Sequence, residues 1–316
     1  MACCLPVRRG GRYHQLLFNP LTPTAANVVV NDTTEWAYGP EYSYNVNMTY
    51  VIKSDPAEPA GTMQLMSSVK CQPKVSENSL LCRLRNSTTM MSLRKDNTSR
   101  EVETEQMFEI KFNERGVESL LIEPPSRMEV VNFIRKIANQ LSVGADMKRK
   151  IGMPQFMARE NTSMGDCATM YRITREELAE SPPEPPESPE LAEDADFQLV
   201  VLPMADARPG TSLTIEKSRM GCINSPRYVD FSMGILKMGR FFSRIYVDGA
   251  DRFETYTELD GKLRTESLSS RIITFKSLLR VSLESIEPAQ EPLPSILYGE
   301  LIDLNMNNDI PNNMID

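Results

Sequence analysis

Apolar and polar side chains alternate along residues 40–52, and this alternation constrains the fold more than any other feature of the sequence. The apolar phase consists of Tyr42, Tyr44, Val46, Met48, Tyr50 and Ile52. The residues between them, as far as Thr49, are Ser, Asn or Thr. Because successive side chains of a strand point to opposite faces, the pattern predicts a long strand with one face in a core.

Comparable strand patterns recur along most of the chain. They fall at residues 63–71, 80–84, 108–112, 120–122, 197–202, 213–215, 227–235, 241–247, 253–259, 262–268 and 273–286. Pro73 and Asn78 separate one pair of these segments, and Asp260-Gly261 separates another, so both places predict a hairpin. About ten or more strands joined by hairpins predict a mainly β fold, as an antiparallel β-barrel or strongly curled sheet.

One segment has the period of a helix instead, from about residue 127 to about residue 143. Ser126 and Glu129 have the spacing of a capping box at its start. Its apolar stripe consists of Val130, Val131, Ile134, Ile137, Ala138 and Leu141, and its polar side carries Asn132, Arg135, Lys136 and Asn139. We expect a central helix whose stripe packs against the sheet; binding of the stripe to a membrane is the alternative.

A Pro-rich acidic segment interrupts the strand patterns. Residues 176–196 contain nine carboxylates, five prolines and no Lys or Arg. The net charge of the whole chain is −8, so the remainder of the chain is about neutral. Proline removes backbone donors and like charges repel, which predicts a solvated loop within the domain, with an acidic binding tract as the alternative.

The cysteines and the single histidine bear on metal binding and redox compartment. Of six cysteines, Cys3 and Cys4 lie near the start, and Cys71, Cys82, Cys167 and Cys222 are well separated. No pair has CxxC spacing and His14 is the one histidine, so no metal site is predicted. Two disulfides are expected, and free buried thiols are the alternative. Cys71 and Cys82 share the apolar phase of a hairpin, which predicts a disulfide between them.

Glycosylation triplets favour a secreted protein. Asn31, Asn47, Asn86, Asn97 and Asn161 each begin an N-x-S/T triplet. No apolar run approaches the roughly 20 residues of a membrane span. Residues 1–34 lack the apolar stretch of a signal peptide. We interpret them as an atypical, disordered leader, and we expect the true first exon to be absent from the sequence.

The residue inventory argues against an enzyme. A lone histidine near the start cannot complete a Ser-His-Asp or Cys-His site. The chain has no GxSxG, GxxxxGK[ST], GxGxxG or HExxH motif. A site built from two carboxylates is the one catalytic class that stays open. We therefore expect a binding or carrier protein with no cofactor, no metal and no nucleic-acid partner.

Five segments, taken in order, resemble a known family. They are EWAYGPEYSYNV at 35–46, FEIKFNERGVESLLIEPP at 108–125, VVNFIRKIANQLSV at 130–143, PQFMARENTSMGDCATMYRI at 154–173 and GRFFSR at 239–244. Together they are similar to the N-terminal domain of vitellogenin-family lipid transfer proteins, and the first segment to insect vitellogenins in particular. The resemblance covers residues 35–286.

This resemblance implies a lipovitellin-type antiparallel barrel around a central helix, and a disulfide between Cys167 and Cys222. It implies that residues 287–316 are a loose tail, truncated before the helical domain that encloses lipid. The function implied is a lipid-transport or yolk-precursor module that acts in receptor or particle interaction and contacts lipid only through domains absent here. A stand-alone secreted barrel that carries a small ligand is the alternative.

The family also implies a partner, an endocytic receptor of the lipoprotein-receptor type whose acidic, calcium-bound modules bind Lys and Arg side chains. The candidate contacts are Lys148, Arg149 and Lys150, with Arg135 and Lys136 from the polar side of the helix. The glycosylation candidates are Asn47, Asn86, Asn97 and Asn161.

Overall fold

Strands account for most of the structure, which is a computed structural model. It describes residues 25–28, 38–53, 59–74, 77–93, 96–102, 105–124, 126–147, 150, 152–177, 197–200, 211–223, 228–229, 232–248, 252–265 and 272–304. The strands are β1 (Ala25–Val28), β2 (Pro40–Lys53), β3 (Gly61–Lys74), β4 (Ser79–Leu93), β5 (Asp96–Val102), β6 (Gln106–Asn113), β7 (Gly116–Ile122), β8 (Gln155–Thr162), β9 (Gly165–Glu177), β10 (Phe197–Val200), β11 (Thr211–Ile223), β12 (Tyr228–Val229), β13 (Ser232–Asp248), β14 (Arg252–Thr265), β15 (Ile272–Pro288) and β16 (Glu300–Ile302). The helix α1 spans Met128–Gln140.

One antiparallel sheet contains fourteen of these strands, which confirms the predicted mainly β class. Its order is β16-β7-β6-β4-β3-β2-β15-β14-β13-β11-β9-β8, with β5 beside β4 and β12 beside β13. The predicted closure into a barrel is wrong for the described residues, because the end strands β16 and β8 do not pair with each other. β1 and β10 form a separate two-stranded pair, so part of the predicted leader is strand.

The sheet curls around α1. The second half of α1 and the residues just after it contact several different strands of the sheet. Lys136 Nζ donates to Tyr50 Oη of β2, Thr257 of β14 donates to Gln140 Oε1 at 2.8 Å, and Lys217 Nζ of β11 donates to the Ser142 carbonyl at 2.6 Å. Val117 of β7 and Lys217 of β11 also both donate to Ser142, just after α1. Because these two strands lie eight positions apart in the sheet order, the sheet must be curled.

The core lies between α1 and the inner face of the sheet. The predicted apolar phase of β2 is buried from Tyr42 to Tyr50, and Ile134 and Ile137 of the helix stripe are buried in the same cluster. The predicted capping box is wrong: Arg127 is the N-cap and makes no side-chain cap, while Ser126 Oγ donates to the Glu123 carbonyl at 3.1 Å. Packing against the sheet, rather than capping, holds the helix start.

The chain between 287 and 304 packs on the fold, unlike the loose tail expected from residue 287. β16 pairs with β7, and Ile302 and Leu304 are buried. Gln72 donates to the Glu291 carbonyl at 2.9 Å and accepts from the Leu293 amide at 2.9 Å. Residues 305–316 and the acidic segment after Glu177 lie outside the described residues.

The predicted hairpin turn at Asp260-Gly261 is wrong. Both residues lie inside β14, which pairs with β13 on one side and β15 on the other. The local irregularity lies instead on β13, where the register shifts between Met238 and Arg240, opposite Asp260. Gly239 approaches the Asp260 backbone there, which is a usual position for glycine in a strand.

Two disulfides tie neighbouring strands at directly opposed positions. Cys71 of β3 is bonded to Cys82 of β4, with 4.1 Å between their Cα atoms. Cys167 of β9 is bonded to Cys222 of β11, with 3.9 Å between their Cα atoms. Both pairs are those expected from the sequence and the resemblance, and the second fixes β11 beside β9 across the acidic segment.

Candidate functional site

The outer face of β13, β14 and β15 carries an excess of positive charge where the three strands run side by side. Over residues 234–246, 254–265 and 272–282 it bears seven basic and three acidic side chains. The basic residues are Lys237, Arg240, Arg244, Lys262, Arg264, Lys276 and Arg280, and the acidic ones are Glu254, Glu258 and Asp260. We call this surface the basic face.

The carboxylates of the basic face lie deeper than its cations. Glu258 accepts from Lys276 at 2.7 Å, and Glu254 accepts from Arg280 at 2.7 Å. These two carboxylates are 15% and 22% exposed, whereas Lys276 and Arg280 are 43% and 59% exposed. The hydrogen bond from Lys276 is the main reason that the pKa of Glu258 lies below its ordinary value. The acidic groups therefore do not cancel the positive charge at the outermost layer.

A shallow groove crosses the centre of the basic face. Arg244, Tyr256 and Arg280 stand opposite one another on three successive strands, so that an aromatic ring separates two guanidinium groups. Together with Glu254 and with Asn47 of β2 they line a cavity of about 360 Å³. Planar guanidinium forks beside an aromatic ring suit a partner that carries carboxylates.

A buried charge cluster lies on the opposite, inner side of the sheet. Glu160 of β8 accepts from Lys217 at 2.9 Å and from Arg219 at 3.4 Å, both residues of β11. Thr169 also donates to Glu160, at 3.1 Å. The Arg219 guanidinium carbon lies 3.6 Å from the centre of the Phe241 ring. One carboxylate thus faces two cations in an interior position.

Burial and pairing oppose each other in this cluster. Burial alone would raise the pKa of Glu160, but Lys217, Arg219 and Thr169 outweigh it and hold that pKa below its ordinary value. For Lys217 burial prevails over the attraction of Glu160, so its pKa lies below the ordinary value. The cluster therefore depends on Glu160 for its stability.

Local backbone geometry makes room for Glu160. Gly144, just beyond α1, has φ +82°, and a Cβ at this position would overlap the Glu160 carboxylate. Lys217 and Glu160 both occupy the inward phase of their strands, between buried residues such as Ile215 and Thr162. The sequence signal for this cluster is charge at inward positions of strands, and the cluster was not among the sites predicted from the sequence.

The structure does not bring the predicted receptor contacts together. Arg135 is 1% exposed, because its Nε donates to the Asp303 carbonyl at 2.9 Å and its Nη1 to Asn132 Oδ1 at 3.0 Å. The assignment of Arg135 to a surface patch is therefore wrong, and burial lowers its pKa to about 10. Lys136 is half-buried against Tyr50, and the ammonium of Lys150 lies 5.6 Å from the centre of the Phe156 ring. Lys148 and Arg149 lie outside the described residues.

The other candidate residues lie at the surface where they are described. Asn47, Asn86 and Asn161 have exposed side chains. The side chain of Asn97 and the whole of Asn31 and His14 lie outside the described residues. Among the residues that the structure describes, no three His, Cys, Asp or Glu side chains are grouped as for a metal ion. Within the same part of the chain, no helix has the length and apolar character needed to cross a membrane.

Comparison with known proteins gives the family. A solved structure described as "lipid-protein interactions in lipovitellin" superposes with a TM-score of 0.55 at 12% identity, which establishes a shared fold. The match covers 85% of this chain and 28% of that one, so the chain spans about a quarter of the solved protein. None of the curated proteins matches the chain. A family model described as the vitellogenin N-terminal domain matches residues 36–219. This match covers more than half of the sequence, and the chain therefore belongs to the vitellogenin family.

Proposed function

We propose that this chain is the interaction module of a secreted lipid-transport protein and that its basic face receives an acidic partner. Vitellogenins and lipovitellin are lipid-transport proteins, which supports the general role. The proposed binding of an acidic partner rests on the excess of exposed Lys and Arg on β13–β15. The two disulfides are compatible with an extracellular compartment.

The partner we propose is an endocytic receptor of the lipoprotein-receptor type, which presents carboxylates around calcium. Arg244 and Arg280 flank Tyr256. Arg244 can offer a planar fork of donors to such a carboxylate, and Arg280, whose Nη2 donates to Glu254, can offer its other donors. Exposed charges of this kind contribute mainly to the rate of association and to specificity. Binding should therefore weaken as salt screens the charges, over a Debye length of roughly 8 Å at physiological ionic strength.

The alternative, a small-ligand carrier, receives less support from the interior. Helix α1 packs in the same core cluster as the inner face of the curled sheet. The cavity beside its last turn has a volume of about 60 Å³. Ligand pockets of carrier proteins are roughly 300 Å³ or larger. A cavity of that volume does not favour a carrier role, whereas an interaction role needs no such pocket.

The experiment is a charge reversal on the basic face. The variant Arg244→Glu/Arg280→Glu is compared with Arg115→Glu/Arg127→Glu, which alters the charge equally at exposed positions elsewhere. Binding to a calcium-loaded receptor fragment is measured by surface plasmon resonance at several salt concentrations. We expect the first variant to lose more than about tenfold in affinity, as for loss of charged hydrogen bonds, and the control to bind like wild type.

A third arm tests the cluster proposed from the sequence, with Lys148, Arg149 and Lys150 all changed to Glu. Loss of binding in this arm alone would move the contact from the basic face to that cluster. Equal, salt-independent affinity in all three arms would refute an electrostatic receptor contact.

A further inference from the structure

One of the glycosylation triplets opens directly onto the groove of the basic face. Asn47 and Thr49, the first and third residues of the triplet, both line that groove. Asn47 is exposed, Met48 points into the core at 4% exposure, and Thr49 is half-buried. The side chain that can carry a glycan therefore stands at the wall of the surface assigned above to the acidic partner.

The pairing of four strands places Asn47 at the end of a row of groove residues. Asn47 of β2 is directly opposite Arg280 of β15. Arg280 in turn is opposite Tyr256 of β14, which is opposite Arg244 of β13. Neighbouring strands are about 4.8 Å apart, so all three groove side chains start within roughly 15 Å of Asn47. The first sugars of a glycan on Asn47 can therefore reach each of them.

A hydrogen bond sets the orientation of the Asn47 amide. Its Oδ1 accepts from Gln64 Nε2 at 3.1 Å. Gln64 lies on β3, which neighbours β2 on the side away from the groove. Because the amide is planar, this bond leaves Nδ2 on the side away from Gln64. Nδ2 is the atom to which the first sugar is attached, so the glycan starts on the groove side of Asn47.

The groove offers contacts that suit a neutral sugar. Arg244 and Arg280 carry several N–H donors for the oxygens of a sugar, and Arg280 commits one of them to Glu254 at 2.7 Å. The Tyr256 ring lies between the two guanidinium groups and can pack against the apolar face of a sugar ring. The groove volume of about 360 Å³ falls within the range of roughly 300–1,000 Å³ found for ligand pockets. These contacts favour a glycan that lies in the groove over one that extends into solvent.

We propose that an N-linked glycan on Asn47 lies in the groove of the basic face and keeps the acidic partner out of it. The glycan acts on the same surface, so this role rests on the function proposed above. The sugar comes from a lipid-linked oligosaccharide diphosphate. A bond forms between Asn47 Nδ2 and the anomeric carbon, the bond from that carbon to the diphosphate breaks, the diphosphate leaves with the electron pair, and the amide releases one proton.

The experiment compares the protein from two sources. Wild type and Asn47→Gln are secreted from glycosylating eukaryotic cells, and both are also made in the periplasm of bacteria without N-glycosylation, where disulfides form. Mass spectrometry identifies the glycans, and surface plasmon resonance measures binding to the calcium-loaded receptor fragment. A glycan that covers the groove for about nine-tenths of the time raises the apparent Kd about tenfold. The eukaryotic wild type should therefore bind about tenfold more weakly than the bacterial wild type, whereas Asn47→Gln should bind alike from both sources.

A second measurement does not involve the receptor. Phenylglyoxal modifies exposed arginines, and mass spectrometry gives the reaction rate at each of them. Arg244 and Arg280 should react about tenfold more slowly in the glycosylated than in the bacterial wild type. Arg115 and Arg127, which are exposed elsewhere, should react equally in both. Asn86→Gln removes a triplet outside the lining of the groove, so this matched control should keep the slow rates of Arg244 and Arg280.

Three results would overturn the proposal. The first is secreted wild type without a glycan on Asn47. The second is equal labelling of Arg244 and Arg280 in the glycosylated and bacterial wild types. The third is equal receptor affinity of these two proteins, with the glycan present on Asn47. All three use the unmodified chain, so they decide the matter even where a variant fails to fold.

A different result separates this proposal from the proposed receptor role. If no form of the protein binds the receptor fragment while labelling of Arg244 and Arg280 is slow in the glycosylated wild type, the receptor role is refuted. The position of the glycan in the groove is then supported, because the labelling rates depend on the glycan and not on the receptor.

Discussion

Lys217 Nζ lies 2.9 Å from Glu160 Oε1, with 3% of each side chain exposed. This contact joins β11 to β8 across the intervening strand β9. Lys217 also donates to the Ser142 carbonyl beyond α1. One buried ion pair thus connects the edge of the sheet, its interior and the end of the helix.

Removing the charge of Glu160 should destabilise the protein strongly. In Glu160→Gln, Lys217 and Arg219 remain buried with no carboxylate to compensate them, and breaking a buried pair in this way costs about 3 to 5 kcal/mol. Glu254→Gln breaks the exposed pair with Arg280 and should cost less than about 1 kcal/mol. Urea unfolding followed by circular dichroism measures both. Equal stability of the two variants would contradict a structural role for the buried cluster.

The same residue predicts a pH dependence. The pKa of folded Glu160 lies below the ordinary value of 4.5, so its stabilisation is fully present above that pH. It is lost as the pH falls through the lower folded pKa, where the folded state must also take up the proton. The free energy of unfolding of wild type should therefore fall below about pH 4.5 more steeply than that of Glu160→Gln. Parallel curves for the two proteins would exclude this contribution.

A charge inside the helix stripe should unfold the domain. Ile134 is 0% exposed and lies in the main core, so Ile134→Asp buries a carboxylate among apolar side chains. Ile272→Asp makes the same change at a position that is 61% exposed. Thermal unfolding should show no cooperative transition for the first variant and a near-wild-type transition for the second. A normally melting Ile134→Asp protein would show that the stripe does not hold the core together.

The two disulfides should differ in their contribution to stability. Cys167–Cys222 closes a sequence separation of 55 residues and Cys71–Cys82 one of 11. By restricting the unfolded chain, loops of these lengths contribute about 4 and about 3 kcal/mol respectively. Paired Cys→Ser substitutions, compared by urea unfolding, measure each contribution. A larger loss of stability on substitution of Cys71 and Cys82 would reverse the expected order. It would point to packing in the native state as the cause.

Among the glycosylation triplets, we expect the one at Asn86 to be used and the one at Asn161 to be unused. Asn86 is exposed in β4 with φ +52°, at the bulge where the register shifts opposite Met66 and Ser68. The third residue of the triplet at Asn161, Ser163, is buried, whereas Thr88, the third residue of the triplet at Asn86, is half-buried. Mass spectrometry of protein secreted from eukaryotic cells should show one glycan fewer for Asn86→Gln and no change for Asn161→Gln. Loss of a glycan in Asn161→Gln and no change in Asn86→Gln would show that accessibility of the triplet does not decide its use.

Much of the sheet follows from patterns that are local in the sequence. The alternation in β2 specifies a buried face directly, and the matching phase of Cys71 and Cys82 places two sulfurs across one strand pair. The Asp260-Gly261 dipeptide shows the limit of this reasoning, because its turn preference gives way to pairing with two neighbouring strands. Pairing of this kind depends on distant segments, which a local pattern does not contain.

The candidate sites were less accessible to sequence reasoning for the same reason. The charges of the basic face come from three strands, and they form one surface only in the observed register. Arg135 has the spacing of a solvent-facing residue on an amphipathic helix, but the chain around Asp303 covers it. No period within residues 127–143 could show that a segment more than 150 residues away lies against the polar side.

In the described part of the chain, Glu160 lies on a strand at the edge of the sheet, where another molecule could add a strand. In the described part of the chain β8 has a strand neighbour on one side, β9, so its other side offers free backbone groups to a strand of another molecule. Inward-pointing charge on an edge strand discourages such extension, since an added strand would have to place its own inward side chain against the carboxylate. We therefore expect the ion pair that anchors β8 to oppose extension of the sheet by a strand of another molecule.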